Sequence, residues 1–544
     1  MTGPHDHTTA VLIVGGGITG LSTALFLTRL GVRSTLVERH PSTAIMPQAR
    51  AFNPRSMEIY RTLGLEKEIR ARTSILADLP EMIGADTLTG QERFRVDLLA
   101  QVRPPTSLSP TDWGLIDQDE LELVVRAAAE RRGAGGRVGP PQGSPNPPED
   151  GVRAVVRDLG TGAEHRVHAD YLVAADGSRA GVRDQLGVGA DGPGVLGHSA
   201  HFVFDADLGE ALRGPGFLLA YLDQPATGTV LAPLRQRGRW MLGVPFEPRD
   251  GQRVEDFTEQ RCVELVRRAV GVEDLDSTLV PLVPGSSRTL MEVRIGGWVA
   301  RGYRAGRVFF AGDSAHVVPP SGSYGANTGI ADAHNLAWKL AAVLGGQAGQ
   351  SLLDTYEDER RPVAQLTLDQ TMRLLRARHH GTTDELTAID DLAMIFGYWY
   401  DSAAVLVEPP GPDGPVEDPR QPSGRPGLRA PHVWLDRAGT RLSSHDLFTG
   451  AFTVLVGPHG GEWAAAARTV AASLGVELDV HQVGIELHDP EGRFLDAYGI
   501  TAGGMSLVRP DGFVAWRADG PAPLPEHELE RVLGRLLARD HRAR

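Results

Sequence analysis

The pattern of hydrophobic and polar positions is clearest near the start of the chain. Residues 10–14 form a continuous apolar run, which is typical of a buried parallel strand, and residues 18–30 show the apolar spacing of a helix. Residues 34–37 then supply a second short apolar strand, which ends at Glu38. This order predicts a β-α-β unit of the usual length.

Later segments of the chain follow other patterns. Residues from about 195 to 295 alternate apolar and polar positions, which predicts a mostly β insertion. Residues 308–310 return to a buried strand, and a helical region is predicted from about 326 to 398. The chain is therefore expected to hold a β-rich segment between two α/β segments.

A proline-rich stretch sets off the last part of the chain. Eight prolines occur between Pro409 and Pro431, which is typical of a linker. Beyond it, an apolar strand, an Ala-rich helix at residues 464–473 and a helix at residues 525–539 predict a small α/β domain.

Composition and charge exclude several classes of function. A chain of 544 residues exceeds what one hydrophobic core organises, so two or three domains are expected. The formal net charge of -14 argues against a nucleic-acid partner and against an anionic membrane surface. No apolar stretch approaches the ~18 residues of a membrane span, and no basic signal-peptide region precedes the first strand. Because Cys262 is the one cysteine, an intramolecular disulfide is excluded, and we expect a cytoplasmic protein.

A glycine pattern, Gly15-x-Gly17-x-x-Gly20, lies between the first strand and the first helix. The first glycine permits a tight turn, the second lets the backbone approach a pyrophosphate, and the third lets helix and strand pack closely. The helix N-terminus offers free N–H groups to the phosphates. Glu38 can accept hydrogen bonds from ribose hydroxyls. The pattern predicts a dinucleotide-binding unit.

Residues 192–197 repeat the glycine spacing but lead into strand-like sequence. Without a following helix they offer no phosphate site, so we interpret them as a loop. The chain is then expected to contain one dinucleotide-binding unit, with any nicotinamide cofactor bound transiently on its surface.

Two further clusters follow predicted strands. Asp176-Gly177 ends one strand, where the aspartate can cap a helix and Arg179 and Arg183 can meet phosphates; a plain turn is the alternative. Gly312-Asp313 ends another strand, and a loop rich in glycine and proline follows it. Such a loop lets backbone amides reach a ligand.

The three motifs, in this order and at these spacings, resemble the class A flavin-dependent aromatic hydroxylases of the p-hydroxybenzoate hydroxylase type. The resemblance covers residues 10 to about 400. The linker and the last domain are similar to the thioredoxin-like tail of the aklavinone hydroxylase-like subgroup, which acts on polycyclic aromatic polyketides. The resemblance implies an α/β fold: a Rossmann-like FAD-binding domain with a mostly β substrate-binding insertion and a C-terminal thioredoxin-like domain. The implied segments are 1–190 and 296–405 for the FAD-binding domain, 191–295 for the insertion, 406–430 for the linker and 431–544 for the thioredoxin-like domain.

The resemblance also implies FAD and NADPH as cofactors and assigns residues to FAD. The ADP half of FAD is assigned to the first glycine motif and to Glu38. Asp313 is assigned to the ribityl chain, and the helix after the glycine- and proline-rich loop is expected to point its N-terminus at the isoalloxazine ring. The implied FAD-binding residues are Gly15, Gly17, Gly20, Glu38, Arg39, Gln118, Asp176, Asp313, Gly325 and Asn327.

The implied reaction is a hydroxylation that uses NADPH and O2. NADPH reduces FAD, O2 adds to form C4a-hydroperoxyflavin, and one oxygen passes to an activated ring of a polycyclic aromatic polyketide. Tyr221, Arg378 and Pro320 are the implied catalytic residues. A tyrosine at the edge of the core and a solvated arginine remain the alternatives for the first two. No metal is expected, since neither His5-x-His7 nor His379-His380 has a third ligand nearby in sequence.

The sequence departs from the family pattern at a few positions. Gly322 is followed by Ser323-Tyr324 where the family usually has glycines. Gln48 stands where many relatives carry arginine, and Arg50 and Arg55 are candidates to replace it in contacting FAD or NADPH.

Two other functions remain open. The same scaffold can carry out Baeyer-Villiger oxygen insertion, and a weakly active flavoprotein component of a biosynthetic complex is the alternative outside catalysis. The C-terminal domain has no cysteine, so it cannot do thiol chemistry, and a packing or homodimer role is expected for it.

Overall fold

The structure is a computed structural model. It describes residues 6–40, 49–79, 81–97, 100, 102–133, 135–138, 141–142, 151–212, 214, 216–282, 287–380, 389–411 and 413–539. For residues 6, 75–76, 135–138, 141–142 and 377–380 it describes the backbone alone.

The first domain is built on a sheet with a parallel centre. The elements up to residue 185 are β1 Asp6–Val14, α1 Ile18–Arg29, β2 Ser34–Glu38, α2 Pro54–Thr62, α3 Glu66–Arg70, β3 Glu81–Ala85, β4 Glu92–Asp97, α4 Gln118–Arg131, β5 Gly135–Val138, β6 Pro141–Gln142, β7 Val152–Arg157, β8 Glu164–Ala174 and α5 Gly181–Gln185. Strand β1 lies between β2 and β8 and pairs with both in parallel. The β-α-β prediction is confirmed.

The β-rich segment follows and ends in a long strand. Its elements are β9 Ala190–Asp205, β10 Leu219–Leu222, β11 Thr229–Pro233, β12 Arg239–Phe246, α6 Glu259–Val270, β13 Thr278–Val280 and β14 Leu290–Ala300. Helix α6 covers one face of the sheet, where Cys262 and Val266 pack with Phe202 and Leu242. Cys262 is buried there as a small apolar side chain.

The chain then returns to the first domain. Its next elements are β15 Arg304–Ala305, β16 Val308–Phe310, β17 His316–Val317, α7 Gly325–Leu344, α8 Thr355–His380 and α9 Asp391–Phe396. The parallel centre of the first sheet has the strand order β16-β8-β1-β2-β5. This arrangement confirms the predicted Rossmann-like α/β fold.

The β-rich sheet is wider than the 191–295 insertion. Its strand order is β17-β14-β9-β12-β11-β10-β3-β4, so residues 81–97 join it from the preceding segment. The loop predicted at residues 192–197 is wrong, because these residues belong to β9. Gly192 and Gly194 have positive φ, and the register with β14 shifts beside them. Glycines in a strand allow such a bulge.

The C-terminal domain is thioredoxin-like. Its elements are β18 Trp434–Arg437, β19 Thr440–Ser443, β20 Phe452–Val456, α10 Gly461–Leu474, β21 Leu478–Gln482, α11 Phe494–Tyr498, β22 Met505–Val508, β23 Val514–Ala518 and α12 Pro525–Leu536. The sheet order is β21-β20-β22-β23, with β20 and β21 parallel and the other pairs antiparallel. Helices α10 and α12 pack on this sheet around Trp463 and Leu533.

Candidate active site

The glycine turn after β1 is held by close backbone packing. Gly15 has φ +110°, and a Cβ on it would overlap the carbonyl oxygen of Ala175. A Cβ on Gly20 would overlap the carbonyl oxygen of Gly15. Both glycines are therefore required by the protein's own packing, as the motif predicts.

Gly17 differs from its two neighbours in the motif. It is the N-cap residue of α1 and has no side-chain capping bond. Among the described residues, a Cβ on it would meet only Glu122 Oε1, at 3.8 Å. The space in front of the helix is thus open on the side where a pyrophosphate would bind.

Glu38 closes the turn from the end of β2. Its Oε2 accepts from the Gly16 N–H at 2.5 Å, and its Oε1 accepts from the His40 N–H at 2.8 Å. The carboxylate therefore lies beside the glycine turn, where the sequence predicts the ribose. Arg39 lies at the surface and donates to His40 Nε2 at 3.0 Å.

Gln118 begins α4 and is buried. Its Oε1 accepts from the Ala49 N–H at 3.2 Å, and its Nε2 donates to Glu122 Oε1 at 2.9 Å. Since Glu122 is also the residue nearest to Gly17, the glutamine lies next to the start of α1. Its role toward FAD stays a prediction.

Asp176 caps the short helix α5. Its Oδ2 accepts from the Val182 N–H at 2.9 Å, which confirms the predicted capping. Its Oδ1 is buried and has no hydrogen-bond partner among the described residues. Burial raises the pKa of this carboxyl, and the Val182 N–H opposes the shift. One carboxylate oxygen is therefore left for a polar ligand.

Arg183 is not placed to meet phosphates. Its guanidinium lies over the Trp298 ring at 4.1 Å, and it donates to the Ser314 carbonyl at 3.2 Å. Arg183 thus supports the turn that follows β16. The sequence did not predict this contact, because Arg183 and Ser314 are far apart in the chain.

Asp313 lies in the turn after β16. The turn is a single 3-10 helix, Gly312–Ser314, and the Asp313 side chain is exposed. Burial among surrounding protein atoms nevertheless raises the pKa of its carboxyl, while His316 opposes the shift. The Asp313 carboxylate is thus surrounded by protein atoms and still in contact with solvent.

Asp332 holds this turn from behind and was not singled out by the sequence. Its Oδ2 accepts from the Gly312 N–H at 3.0 Å and from His316 Nε2 at 2.8 Å. Its Oδ1 accepts from Arg360 Nε at 2.8 Å. Burial alone would raise the pKa of Asp332, but His316 and Arg360 lower it overall. An aspartate among buried helix positions is the signal that could have identified it.

Helix α7 starts at Gly325, two residues before the predicted Asn327. Its Gly329 packs against Thr19 of α1, where a Cβ would overlap the threonine hydroxyl. Gly312 contacts the same threonine. The N-termini of α1 and α7 and the Asp313 turn are thereby brought together.

The Asn327 side chain is engaged within the protein. Its Oδ1 accepts from the Asn53 N–H at 2.9 Å and from Ser56 Oγ at 2.7 Å, and its Nδ2 donates to the Ser323 carbonyl at 2.6 Å. Asn327 therefore ties α7 to α2 and the loop, so a direct contact with FAD would involve its backbone.

The loop before α7 carries the serine that departs from the family pattern. Ser323 has φ +56°, the left-handed region in which glycine is favoured. This explains why a glycine is usual at the position. Tyr324 is buried and donates to Asp391 Oδ1. Pro320 is exposed beside this loop.

Two arginines of the segment after residue 48 have different surroundings. Arg50 donates to Asp117 Oδ1 at 3.1 Å and to the Leu218 carbonyl at 3.4 Å, and its Nη2 is buried with no partner among the described residues. Arg55 instead donates to Glu58 Oε2 at 3.1 Å and to the Asp511 carbonyl at 2.6 Å. The suggestion that Arg55 contacts a cofactor is thus corrected, since it binds the C-terminal domain.

The predicted catalytic residues lie on separate elements. Tyr221 is half-buried on β10 and faces away from α6, since its neighbours Ala220 and Leu222 pack in the core beneath that helix. Arg378 lies on α8, but its side chain is outside the described residues, and Gln48 is outside them altogether. Tyr221 and Arg378 therefore lie on different elements, β10 and α8.

The described ranges contain no group of three His, Cys, Asp or Glu side chains that could hold a metal ion. In the same ranges, no helix is long and apolar enough to cross a membrane.

The arrangement fits FAD. The open N-terminus of α1 suits a pyrophosphate, and Glu38 at the end of β2 suits a ribose. The unpartnered oxygen of Asp176 and the exposed carboxylate of Asp313 provide polar contacts between the two helix N-termini.

Comparisons with known proteins agree with this geometry. Residues 8–371 match the FAD binding domain family, and residues 423–539 match the family described as aromatic-ring hydroxylase, C-terminal. Tetracenomycin A2 monooxygenase-dioxygenase of Streptomyces glaucescens is 41% identical, with 97% of each chain covered. Aklavinone 12-hydroxylase RdmE of Streptomyces purpurascens is 40% identical over 98% of this chain and 100% of that relative.

A solved structure extends the comparison to three dimensions. A ternary complex of aklavinone-11 hydroxylase with FAD and aklavinone is 39% identical, with a TM-score of 0.90 over 99% of this chain and 100% of that chain. The family matches, the relatives and the cofactor geometry lead to one conclusion. The chain belongs to the FAD-dependent aromatic-ring hydroxylases and is an FAD-dependent aromatic monooxygenase.

Proposed function

We propose that the protein hydroxylates a polycyclic aromatic polyketide with NADPH and O2. One atom of O2 replaces a ring hydrogen as hydroxyl, and the other leaves as water. NADPH supplies the two electrons, and one proton is taken up from solvent. The observation that carries the proposal is an apolar sheet face that reaches the loop before α7.

This face, which we call the substrate wall, is the side of the β-rich sheet turned away from α6. Alternation along the strands places its side chains opposite those of the core. Most of them are half-buried, and at one end Val203, Met241 and Met291 pack with Leu234 and Leu282. Its members are Met82, Val203, Leu219, Tyr221, Val230, Ala232, Met241, Met291 and His201.

Glycines leave room for aromatic rings to lie on the substrate wall. The Phe94 ring lies over Gly84, and the His201 ring lies over Gly243, where a Cβ would be 2.6 Å from its Nε2. Methionine side chains adapt their shape to an apolar ligand. An adaptable apolar surface that carries aromatic rings suits fused planar rings.

The substrate wall meets the first domain at both ends. Arg50 donates to the Leu218 carbonyl, just before β10. At the other end, a Cβ on Gly297 would be 2.6 Å from Leu368 and 3.6 Å from Pro319, which lies in the loop between β17 and α7. A molecule lying on the wall would therefore extend toward the loop that begins α7.

The side chains along this path have distinct roles in the proposed reaction. Tyr221 offers a hydroxyl at the polar edge of the substrate, while the methionines exclude water from the rings. When bound, FAD accepts electrons from NADPH and activates O2 for transfer of one oxygen atom. The N-terminus of α7 directs backbone N–H groups to where negative charge would develop. Arg378 remains a proposed substrate contact.

The test is the anaerobic rate of flavin reduction by NADPH, with and without a panel of aromatic compounds. We expect anthraquinone- and tetracycline-like polycycles to accelerate reduction, and single-ring phenols to have little effect. Acceleration by single-ring phenols alone would contradict the proposed substrate class. Mass spectrometry and NMR of the aerobic product then distinguish a ring hydroxyl from a Baeyer-Villiger lactone.

A further inference from the structure

A cluster of charges is buried between the C-terminal domain and the first domain. Arg509 and Asp511 lie in the turn after β22, and Arg509 donates to Glu359 Oε1 at 2.6 Å and to Glu359 Oε2 at 2.8 Å. Lys339 donates to the same carboxylate at 2.7 Å. Asn335 donates to Glu359 at 2.6 Å and to Asp511 at 3.1 Å. These five side chains, here called the interdomain cluster, come from α7, α8 and the C-terminal domain.

The interdomain cluster is balanced in charge and closed to water. It joins two cations with two anions, and none of the four charged residues is more than 2% exposed. Burying charges costs free energy unless each is paired and hydrogen-bonded. Docking by such a cluster is geometrically demanding, because a displaced partner leaves an uncompensated charge.

The residue after Glu359 faces the cofactor side. Arg360 donates to Asp332 at 2.8 Å and to the Thr328 carbonyl at 3.3 Å, and Asp332 in turn accepts from the Gly312 N–H. Glu359 of α8 therefore binds the C-terminal domain, and the next residue, Arg360, binds the aspartate that holds the Gly312–Ser314 turn.

Helix α7 also connects the Gly312–Ser314 turn with the C-terminal domain. Asp332, Asn335 and Lys339 are spaced by three and four residues, which places them on one face of the helix. Asp332 holds the cofactor turn, while Asn335 and Lys339 reach the C-terminal domain. One helical stripe thus spans both sites.

We infer that Arg509 and Asp511 are positioning residues of the flavin site. By fixing α7 against α8, the C-terminal domain sets the Gly312–Ser314 turn and the N-terminus of α7 in the geometry that binds FAD. The inference rests on the FAD site, and it is independent of which aromatic substrate the protein oxidises.

The experiment compares the full-length variants Arg509→Lys and Arg517→Lys with the unmodified chain. Arg517 is the matched control, because it makes two bonds to Glu408, at 2.8 and 2.7 Å, away from α7 and α8. FAD affinity is measured by titrating apoprotein, the flavin environment by visible circular dichroism, and stability by thermal unfolding of apoprotein.

We expect Arg509→Lys to weaken FAD binding about tenfold or more, since it loses charge-assisted hydrogen bonds. Its flavin circular dichroism should change as well. Arg517→Lys should keep FAD affinity within about twofold, even if its melting temperature falls equally. Unchanged FAD affinity and dichroism in Arg509→Lys, with a melting temperature lowered as in the control, would overturn the inference.

A second variant covers the case in which Arg509→Lys does not fold. Asp511→Asn is isosteric and removes one buried charge, and its single amide oxygen can accept only one of the two hydrogen bonds from Arg509. We expect it to weaken FAD binding about threefold or more. Wild-type FAD affinity in this variant would refute the positioning role. Because no turnover is measured, failure here is distinct from failure of the proposed hydroxylation.

Discussion

The cofactor side and the substrate side of the site are built in different ways. The cofactor wall consists of the Gly15–Gly20 turn, the Gly312–Ser314 turn and the first turn of α7. It presents backbone, and its spacing is set by glycines and by buried charges such as Asp332. The substrate wall presents side chains from strands spread between residues 82 and 291.

The difference predicts opposite tolerance to mutation. Adding one methyl group to the cofactor wall collides with backbone at Gly15 or Gly20. Changing a methionine or tyrosine of the substrate wall alters the shape of a half-buried surface without disturbing the core under α6. A family can therefore keep one cofactor site while changing its substrate.

The largest expected effect comes from Gly17→Val. A Cβ at position 17 overlaps no described atom, and a valine there would occupy space in front of α1, so the variant should fold and lose FAD binding completely. Absorbance of the purified protein at flavin wavelengths and circular dichroism of the fold check this. Gly461→Val is the control, since Gly461 also starts a helix and has open space. Stoichiometric FAD in Gly17→Val would disprove the site.

Asp332→Asn should be the next most severe change. It leaves the buried Arg360 guanidinium and His316 without their carboxylate, so we expect a loss of about 3–5 kcal/mol in the free energy of unfolding. Urea unfolding measures the loss, with the exposed Asp354→Asn as control. If both variants had equal stability, the supporting role of Asp332 would be wrong.

Acid should loosen the C-terminal domain, which packs against α7 and α8 of the cofactor-binding domain. Burial and Arg429 lower the pKa of His432 to about 4 and that of His445 well below 6.5. Between pH 6.5 and about 4 the unfolded chain therefore binds more protons than the folded one, and stability falls as pH falls. The shift of His432 corresponds to at most about 3 kcal/mol.

Both histidines lie in the C-terminal domain, so FAD should be released as it loosens. Flavin fluorescence and thermal unfolding between pH 7.5 and 5 test this expectation. A His432→Gln variant should show a shallower pH dependence. A melting temperature independent of pH in this window would be inconsistent with the neutral, buried histidines.

A smaller effect is expected at the substrate wall. Tyr221→Ala should weaken binding of a polycyclic substrate several-fold, or about 1 kcal/mol, and leave FAD affinity unchanged. Tyr221→Phe separates the ring from the hydroxyl. Substrate titration followed by flavin absorbance gives both affinities, and a parallel loss of FAD would show that the two walls are not independent.

The smallest change is expected from Ser323→Gly. Glycine relieves the left-handed backbone strain of Ser323 but adds freedom to the unfolded chain, so the net gain should be at most about 1 kcal/mol. Thermal unfolding measures it. A clear loss of stability would mean that the serine side chain contributes contacts of its own.

Prediction from sequence worked where the chemistry is local. The Gly15–Gly20 turn and the Asp176 cap depend on neighbours close in the chain, and the structure contains both, with Glu38 beside the turn. Prediction failed at residues 192–197, where pairing with β14 turns an apparent loop into a strand. It also missed Asp332, whose partners are brought together only by folding.

The sequence by itself determined the fold class, the FAD-binding unit and the family, because backbone geometry at a phosphate site demands small residues at fixed spacing. The tertiary structure alone decided which distant residues meet. It assembled the substrate wall from strands on both sides of β9, and it buried Arg509 against Glu359. Hydrophobic alternation specifies that one face of a strand is buried, but long-range packing determines which other element covers that face.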